Sequence, residues 1–421
     1  MTPTPRGTAP HTVTNWLARN AVQLSTVTAG SRTTDLQPLK SVLDGVRIIG
    51  MGEATHGTRE FFRLKHRLLE FLVTELGFCA LAMEASASAA PAVDAYVRHG
   101  VGNAAKALTG LGFWTWRTHE VLAMIEWMRA YNRGRPEAHQ VRFAGIDPQK
   151  CGPSLTALDA VLRRAAPEHA AELLSPLRVL ADAYPGSHPD PQQRLLHHAE
   201  ALRRFLHDIP EAGTGVLRHA RILTRAADLA TRSPRHPEAA QTASAARDRY
   251  MADAVDELLT DPSARIALWA HNGHITTSRH SGAGPAMGHH LRKRHGDAYY
   301  ALGLLFGQGS FRARRRWPGP WARPRAGGVA VNRTGPARAA SVEAQLAAAN
   351  PGDHVVDLRS AAGAPPAVQR WLHERHLTRG FGAMVPRWTY RFQHRPLTPA
   401  DAYDGLAYIA LSTSSQPLSP P

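Results

Sequence analysis

Five residues of this chain have types and spacing suited to acid–base chemistry. Glu53 and His56 lie three apart in Gly52-Glu-Ala-Thr-His-Gly57, His271 and His274 lie three apart in His271-Asn-Gly-His274, and Glu84 ends an apolar run. His56 is expected close to a helix N-terminus, where the helix dipole disfavours imidazolium. A neutral imidazole is what a general base needs at pH 7. Glu53 can orient that ring or hold a water, and the flanking Gly52 and Gly57 permit a tight turn. An ionised Glu84 at the end of an apolar run needs a partner, and His56 across neighbouring strand ends is one. His271 and His274 can polarise a carbonyl, protonate a leaving group or bind a metal. Each residue also has an ordinary reading: Glu53 and Glu84 as helix caps, and the histidines as surface residues in a chain with 23 of them.

The elements before these residues position them. Val46–Met51 leads to Glu53 and His56, Cys79–Met83 to Glu84, Val141–Ile146 to Asp147, and Arg265–Ala270 to His271. Four apolar runs of strand length thus end in a carboxylate or imidazole. Parallel α/β sheets hold their ligands beyond the carboxyl ends of the strands. The runs at 299–306, 354–358 and 406–411 are expected to complete the sheet. Helices are expected over 58–76, with Phe61, Leu64, Leu68, Leu69, Leu72 and Leu76 on one face, and from an N-cap at Thr118 to Asn132. The fold class is therefore α/β, a mostly parallel central sheet flanked by helices. Residues 35–152 and 262–411 are read as the α/β catalytic core. Residues 153–261 are read as an inserted all-helical subdomain, with the active-site cleft between it and the core. The polar residues 1–34 and the tail 412–421 are expected to be poorly ordered.

Composition narrows the function classes. The chain has 421 residues, 43% of them apolar, which excludes wholesale disorder. No run approaches the ~18 apolar residues of a membrane span. No basic head with an apolar stretch opens the sequence, so a cytoplasmic location is expected. Two cysteines, Cys79 and Cys151, exclude a disulfide scaffold and a cysteine zinc site. The formal net charge is +16, and only five of the 50 basic residues are Lys. The Arg residues are scattered, so no nucleic-acid partner is expected. One cluster, Arg312, Arg314, Arg315 and Arg316 with Arg323 and Arg325 around Trp317 and Trp321, sits among Pro and Gly and reads as a surface loop. Glu53, His56, Glu84, His271 and His274 together also suit a metal, but none has zincin spacing, so no metal or cofactor is assigned. Trp114 and Trp116 can floor an apolar pocket and Arg117 can bind a polar group. No Gly-x-Ser-x-Gly elbow, Walker loop or strand-linked Gly-x-Gly-x-x-Gly is present, which weighs against a serine hydrolase, a P-loop NTPase and a Rossmann oxidoreductase.

Several segments together resemble the erythromycin esterase family. They are Gly52-Glu-Ala-Thr-His-Gly-Thr-Arg-Glu-Phe-Phe, Leu76-Gly-Phe leading to Met83-Glu84, Phe113-Trp-Thr-Trp-Arg with Trp127-Met-Arg-Ala-Tyr-Asn132, and Gly145-Ile-Asp147. Arg247-Asp-Arg-Tyr-Met-Ala-Asp253, Trp269-Ala-His-Asn-Gly-His274, Asp357-Leu-Arg359 and Tyr403-Asp-Gly-Leu extend the likeness over residues 35–411. The resemblance implies an α/β core beside a helical part. It also implies hydrolysis of a lactone ester, as in members that open 14-membered macrolides without a serine nucleophile. By that likeness His56 is the base acting on water, Glu53 and Glu84 are its supporting carboxylates, and His271 and His274 are the second histidine group. The family's Arg nine residues after the base is Lys65 here, which keeps the charge but lacks the planar fork. Lys65, Trp114, Trp116, Arg117, Asp147 and Asn272 are the expected substrate contacts. A second reading keeps the site but makes the protein a tailoring enzyme of natural-product biosynthesis, performing acyl transfer, cyclisation or elimination on a modified peptide. A third, a haem or metal carrier, follows from the histidine content. The expected partner is a small-molecule or modified-peptide substrate, with no membrane involved.

Overall fold

The computed structural model describes residues 11–209, 213–259, 261–280, 284–316 and 328–419. Among them, ten strands form one sheet. In chain order these are β1 (Ala21–Gln23), β2 (Ile48–Met51), β3 (Ala80–Ser86), β4 (Arg142–Asp147), β5 (Ile266–Trp269), β6 (Tyr299–Arg316), β7 (Val329–Thr334), β8 (His354–Asp357), β9 (Met384–Pro386) and β10 (Gly405–Ser412). Their spatial order is β1-β8-β10-β6-β2-β5-β3-β4, and β7 and β9 also pair with β6. The β1–β8, β8–β10 and β6–β7 pairs are antiparallel and the others parallel. The fold is thus α/β with a mostly parallel sheet, as expected.

The centre of the sheet is buried on both faces, which is why β2, β5 and residues 80–83 of β3 read as unbroken apolar runs. Ile49, Met51, Leu81, Met83 and Trp269 face one layer, which holds α2 (Arg59–Leu76) and α3 (His119–Asn132). Ile48, Ala80, Ala82, Ile266 and Leu268 face the other, which holds α1 (His11–Arg19) and α4 (Ala243–Asp256). Helix α3 starts as expected, with the Thr118 side chain accepting from Val121 N–H. Helix α2 ends at Gly77, whose φ of 69° supplies the left-handed cap.

Between Asp147 and Ile266 the described residues contain only helices. Leu158, Leu162, Leu177, Leu202, Leu206 and Leu223 form a core of their own. Helix α4, at the end of the segment read as an insertion, instead packs Met251, Ala252 and Val255 against Ile146, Ile266 and Leu268 of the sheet.

Three expectations need correction. Part of the 1–34 arm is folded: α1 buries Val13, Trp16 and Leu17, and β1 pairs with β8. The fully buried Arg67 of α2 then ties down the next stretch, donating to Asp35, Thr26 O and Arg32 O. The C-terminal tail is also seated. Ser414 and Pro417 bridge to Thr58 and Thr118, and Ser415 and Leu418 are buried. Arg312, Arg314, Arg315 and Arg316 are not in a loop but on β6, where Phe311 and Ala313 alternate inward. The rest of that cluster, Trp317, Trp321, Arg323 and Arg325, lies outside the described residues.

Candidate active site

Strands β2, β5, β3 and β4 are spatial neighbours, so their carboxyl ends bring the expected residues together. Glu53 and His56 follow β2, Glu84 is the fifth residue of β3, Asp147 ends β4, and His271 and His274 follow β5. The turn carrying His56 precedes α2. Its glycines are required by close approach and not by a left-handed backbone. A Cβ on Gly52 would sit 2.0 Å from Asn272 Oδ1, and one on Gly57 2.2 Å from Arg312 O.

Glu53 is fully buried and shares its carboxylate three ways. Oε1 lies 2.7 Å from His56 Nδ1. Oε2 accepts from Lys65 Nζ at 2.7 Å and from Trp269 Nε1 at 3.0 Å. Lys65 is itself fully buried, with Nζ 4.4 Å from the centre of a Trp269 ring. Burial pulls its pKa down to about 8 against the attraction of Glu53. Lys65 therefore holds Glu53 and does not reach a substrate, which corrects the expected role.

His56 packs edge-on to Trp116 at 6.0 Å and lies 4.9 Å from the ring of His271. Trp116 in turn donates to Glu84 O at 3.1 Å. His271 Nδ1 accepts from Gly273 N–H at 3.0 Å, which leaves the ring proton on Nε2, 3.3 Å from Phe381 O. Burial and the neighbouring His56 hold the His271 pKa well below its ordinary value, so the ring is neutral.

Behind these rings lies a charged network. Arg247 Nη2 donates to Glu84 Oε1 and Asp147 Oδ2, both at 2.7 Å. His274 Nδ1 lies 2.7 Å from Asp248 Oδ1, and Nε2 lies 3.3 Å from Glu84 Oε1. Arg247 Nη1 also lies 3.0 Å from that Nε2. Burial works against the charge on His274, but Asp248 and Glu84 push its pKa up to about 10. For Glu84, burial is outweighed by His274 and Arg247, which hold the carboxyl well below its ordinary range. Arg247 is held charged, against burial, by Asp147 and Glu84. Glu84 Oε2 also accepts from His271 N–H at 2.9 Å, which joins the network to the second histidine.

An open cleft of about 740 Å³ lies over His56, His271 and His274. Arg375, Arg379 and Arg395 form part of the opposite wall. Arg379 is buried and spent on the carbonyls of Gly307, Gly335 and Pro336, whereas Arg375 and Arg395 are exposed. The cleft lies between the histidine-bearing strand ends and the 375–403 segment, and Ser244 and Asp248 of α4, from the 153–261 segment, also line it.

Not every expected substrate contact faces this cleft. Asn272 does line it, while its side chain exchanges two hydrogen bonds with the backbone of Leu304 and so pins the His271 turn to β6. Asp147 is fully buried, bonded to Arg247 and Gln149. Trp116 is buried beneath His56. The described residues lining the cleft do not include Trp114 or Arg117; Trp114 lies under the guanidinium of Arg312 at 5.4 Å. Arg247 and Asp248 were not among the expected site residues. Among the described residues no group of three or more His, Cys, Asp or Glu side chains is arranged to hold a metal ion. No described helix is long and apolar enough to cross a membrane.

The sequence model of the erythromycin esterase family matches residues 73–411. The chain belongs to this family. Erythromycin esterase type II of Escherichia coli is 30% identical to it over 120 residues, 28% of each chain. The match thus spans under a third of that relative's length. Among solved structures, a succinoglycan biosynthesis protein superposes with a TM-score of 0.79 at 21% identity, covering 96% of this chain and 97% of the other. A mutant of the erythromycin esterase EreC in its open conformation superposes with a TM-score of 0.68 at 17% identity, covering 93% and 97%. At these identities the structures show a shared fold.

Proposed function

We propose that this family member is an ester hydrolase in which His56 takes a proton from the attacking water. The observation that carries the reading is the pairing of His56 Nδ1 with a buried carboxylate while the ring borders the cleft. Glu53 fixes the tautomer with the proton on Nδ1. Among the described residues Nε2 has no hydrogen-bond partner, so it is the atom free to receive the proton. Water deprotonated there attacks the carbonyl carbon, and the C–O bond to the leaving alcohol breaks after the tetrahedral intermediate forms. His271 Nε2–H, held only by a long bond to Phe381 O, is the donor for the oxyanion. The His56 imidazolium then returns its proton to the leaving alkoxide. The Arg247–Glu84–His274–Asp248 network keeps the second histidine turn in place.

Family membership supports a lactone as the ester. The test is mass spectrometry of purified protein with erythromycin, other 14-membered macrolides and simple acyl esters. Gain of one water by any of these supports the reading. No hydrolysis of any ester by folded protein contradicts it.

The cleft wall favours one second reading. Arg375 and Arg395 are exposed there, and such a rim suits a substrate with a carboxylate near the reacting bond. A modified peptide acted on by the same His/Glu set, by acyl transfer, cyclisation or elimination, has that chemistry. Turnover of carboxylate-bearing substrates that is lost in the Arg375→Gln/Arg395→Gln double variant, with no macrolide consumed, would select it.

A further inference from the structure

A second cavity, of about 360 Å³, shares no lining residue with the catalytic cleft. It lies where helix Ala90–His99, the edge strand β4, helix Thr214–Thr231 and the end of α4 meet. Its floor is apolar, with Phe143, Ala144 and Ile146 of β4 and Ile222 of the helix. Its rim is basic, with Arg142, Arg218, Arg221 and Arg225.

The acids at this rim are already committed. Arg221 and Arg225 donate to the two oxygens of Glu257 at 2.8 and 2.7 Å. Asp94 accepts from Phe143 N–H at 2.8 Å and faces Arg98. Arg142 and Arg218 are left over. Among the described residues neither guanidinium makes a hydrogen bond or an ion pair. Arg218 is half-buried, and burial disfavours its charge, while the nearby carboxylates of Glu257 and Asp94 favour it and the guanidiniums of Arg221 and Arg142 oppose it. Two guanidiniums with no acid of their own thus line one cavity beside an apolar surface, and an anion between them would gain charge-assisted hydrogen bonds. The planar fork of Arg matches the oxygens of phosphate.

We propose that this cavity binds a small phosphate dianion, free or as a monoester, between Arg142 and Arg218. Two charge-assisted forks supply the affinity, and the apolar floor accepts the body of a monoester. Helix α4 lines the cavity with Ala254 and carries Arg247 and Asp248 of the catalytic network at its other end, so the ligand braces the helix that supports the active site.

The test is calorimetric titration of the full chain with inorganic phosphate and, separately, with glycerol 3-phosphate. The wild type is expected to bind saturably. Arg218→Gln and Arg142→Gln are each expected to weaken binding at least about tenfold, the loss of one charge-assisted contact. Arg395→Gln, in the catalytic cleft, is expected to bind as the wild type does. Equal binding of the two ligands identifies free phosphate, and tighter glycerol 3-phosphate identifies a monoester. Arg142 is exposed on the rim, so its variant decides the matter if Arg218→Gln does not fold. Absence of saturable binding, binding unchanged in the folded rim variants, or binding lost in Arg395→Gln would each overturn the proposal.

Discussion

Glu53 Oε1 lies 2.7 Å from His56 Nδ1, and the same carboxylate is held from the other side by Lys65 Nζ at 2.7 Å. A cation with 0% side-chain exposure thus fixes the carboxylate that fixes the ring. The relay explains why a lysine serves here: the position demands a buried point charge and not a fork turned to substrate.

This pair makes a stability prediction. Removing one partner of a buried ion pair typically costs about 3–5 kcal/mol, while replacing both costs far less. Lys65→Met and Glu53→Gln are each expected to destabilise by that amount in urea unfolding, and the double variant to recover much of the loss. Additive losses would show that the two groups do not act as a pair.

The two strand-end histidines should titrate in opposite directions. His274 has its pKa raised from 6.5 to about 10. Its imidazolium therefore stabilises the folded protein fully below about 6.5, and that contribution is lost as pH rises through about 10. The stability gap between wild type and His274→Gln should be widest near about pH 6 and should close by about pH 10. In ¹⁵N NMR, His274 should remain doubly protonated at about pH 8, while His271 should be a neutral ring with its proton on Nε2. A neutral His274 at that pH, its Nε2 accepting from Arg247 Nη1, would contradict the raised pKa.

The C-terminal tail should matter to catalysis although it carries no reacting group. Ser415 N–H donates to Gly57 O, Thr413 binds both oxygens of Glu60, and Gln416 N–H donates to Glu120. These bonds clamp the turn that presents His56 and the start of α3. Truncation after Ser412 is expected to lower stability by about 1–3 kcal/mol through unsatisfied buried groups. It should also lower kcat by about tenfold or more through misplacement of the ring. Unchanged activity of the truncated chain would remove the tail from this role.

Much of this site was legible because parallel strands buried on both faces are short apolar runs, and each run here ends at a polar residue. Glu53, His56, Glu84, Asp147 and His271 follow from that pattern alone. Arg247 and Asp248 do not. They lie near the start of α4, more than 90 residues beyond β4 in sequence, and an adjacent Arg and Asp on a helix read as a solvated face. The available signal was the segment Arg247-Asp-Arg-Tyr-Met-Ala-Asp253, already part of the family likeness. The arginine-rich end of β6 misled because charge and the nearby Pro-Gly composition hid a period-two pattern at Phe311 and Ala313. The tail misled because its polar residues are used as backbone donors, which composition does not encode.

The central claim is that His56 is the general base, and the most direct measurement compares His56→Ala with wild type on the best ester substrate found. The expected result is a fall in kcat of about 10²–10⁴ with the fold intact by circular dichroism, and partial recovery on adding imidazole. Turnover of His56→Ala within about tenfold of wild type would contradict the assignment.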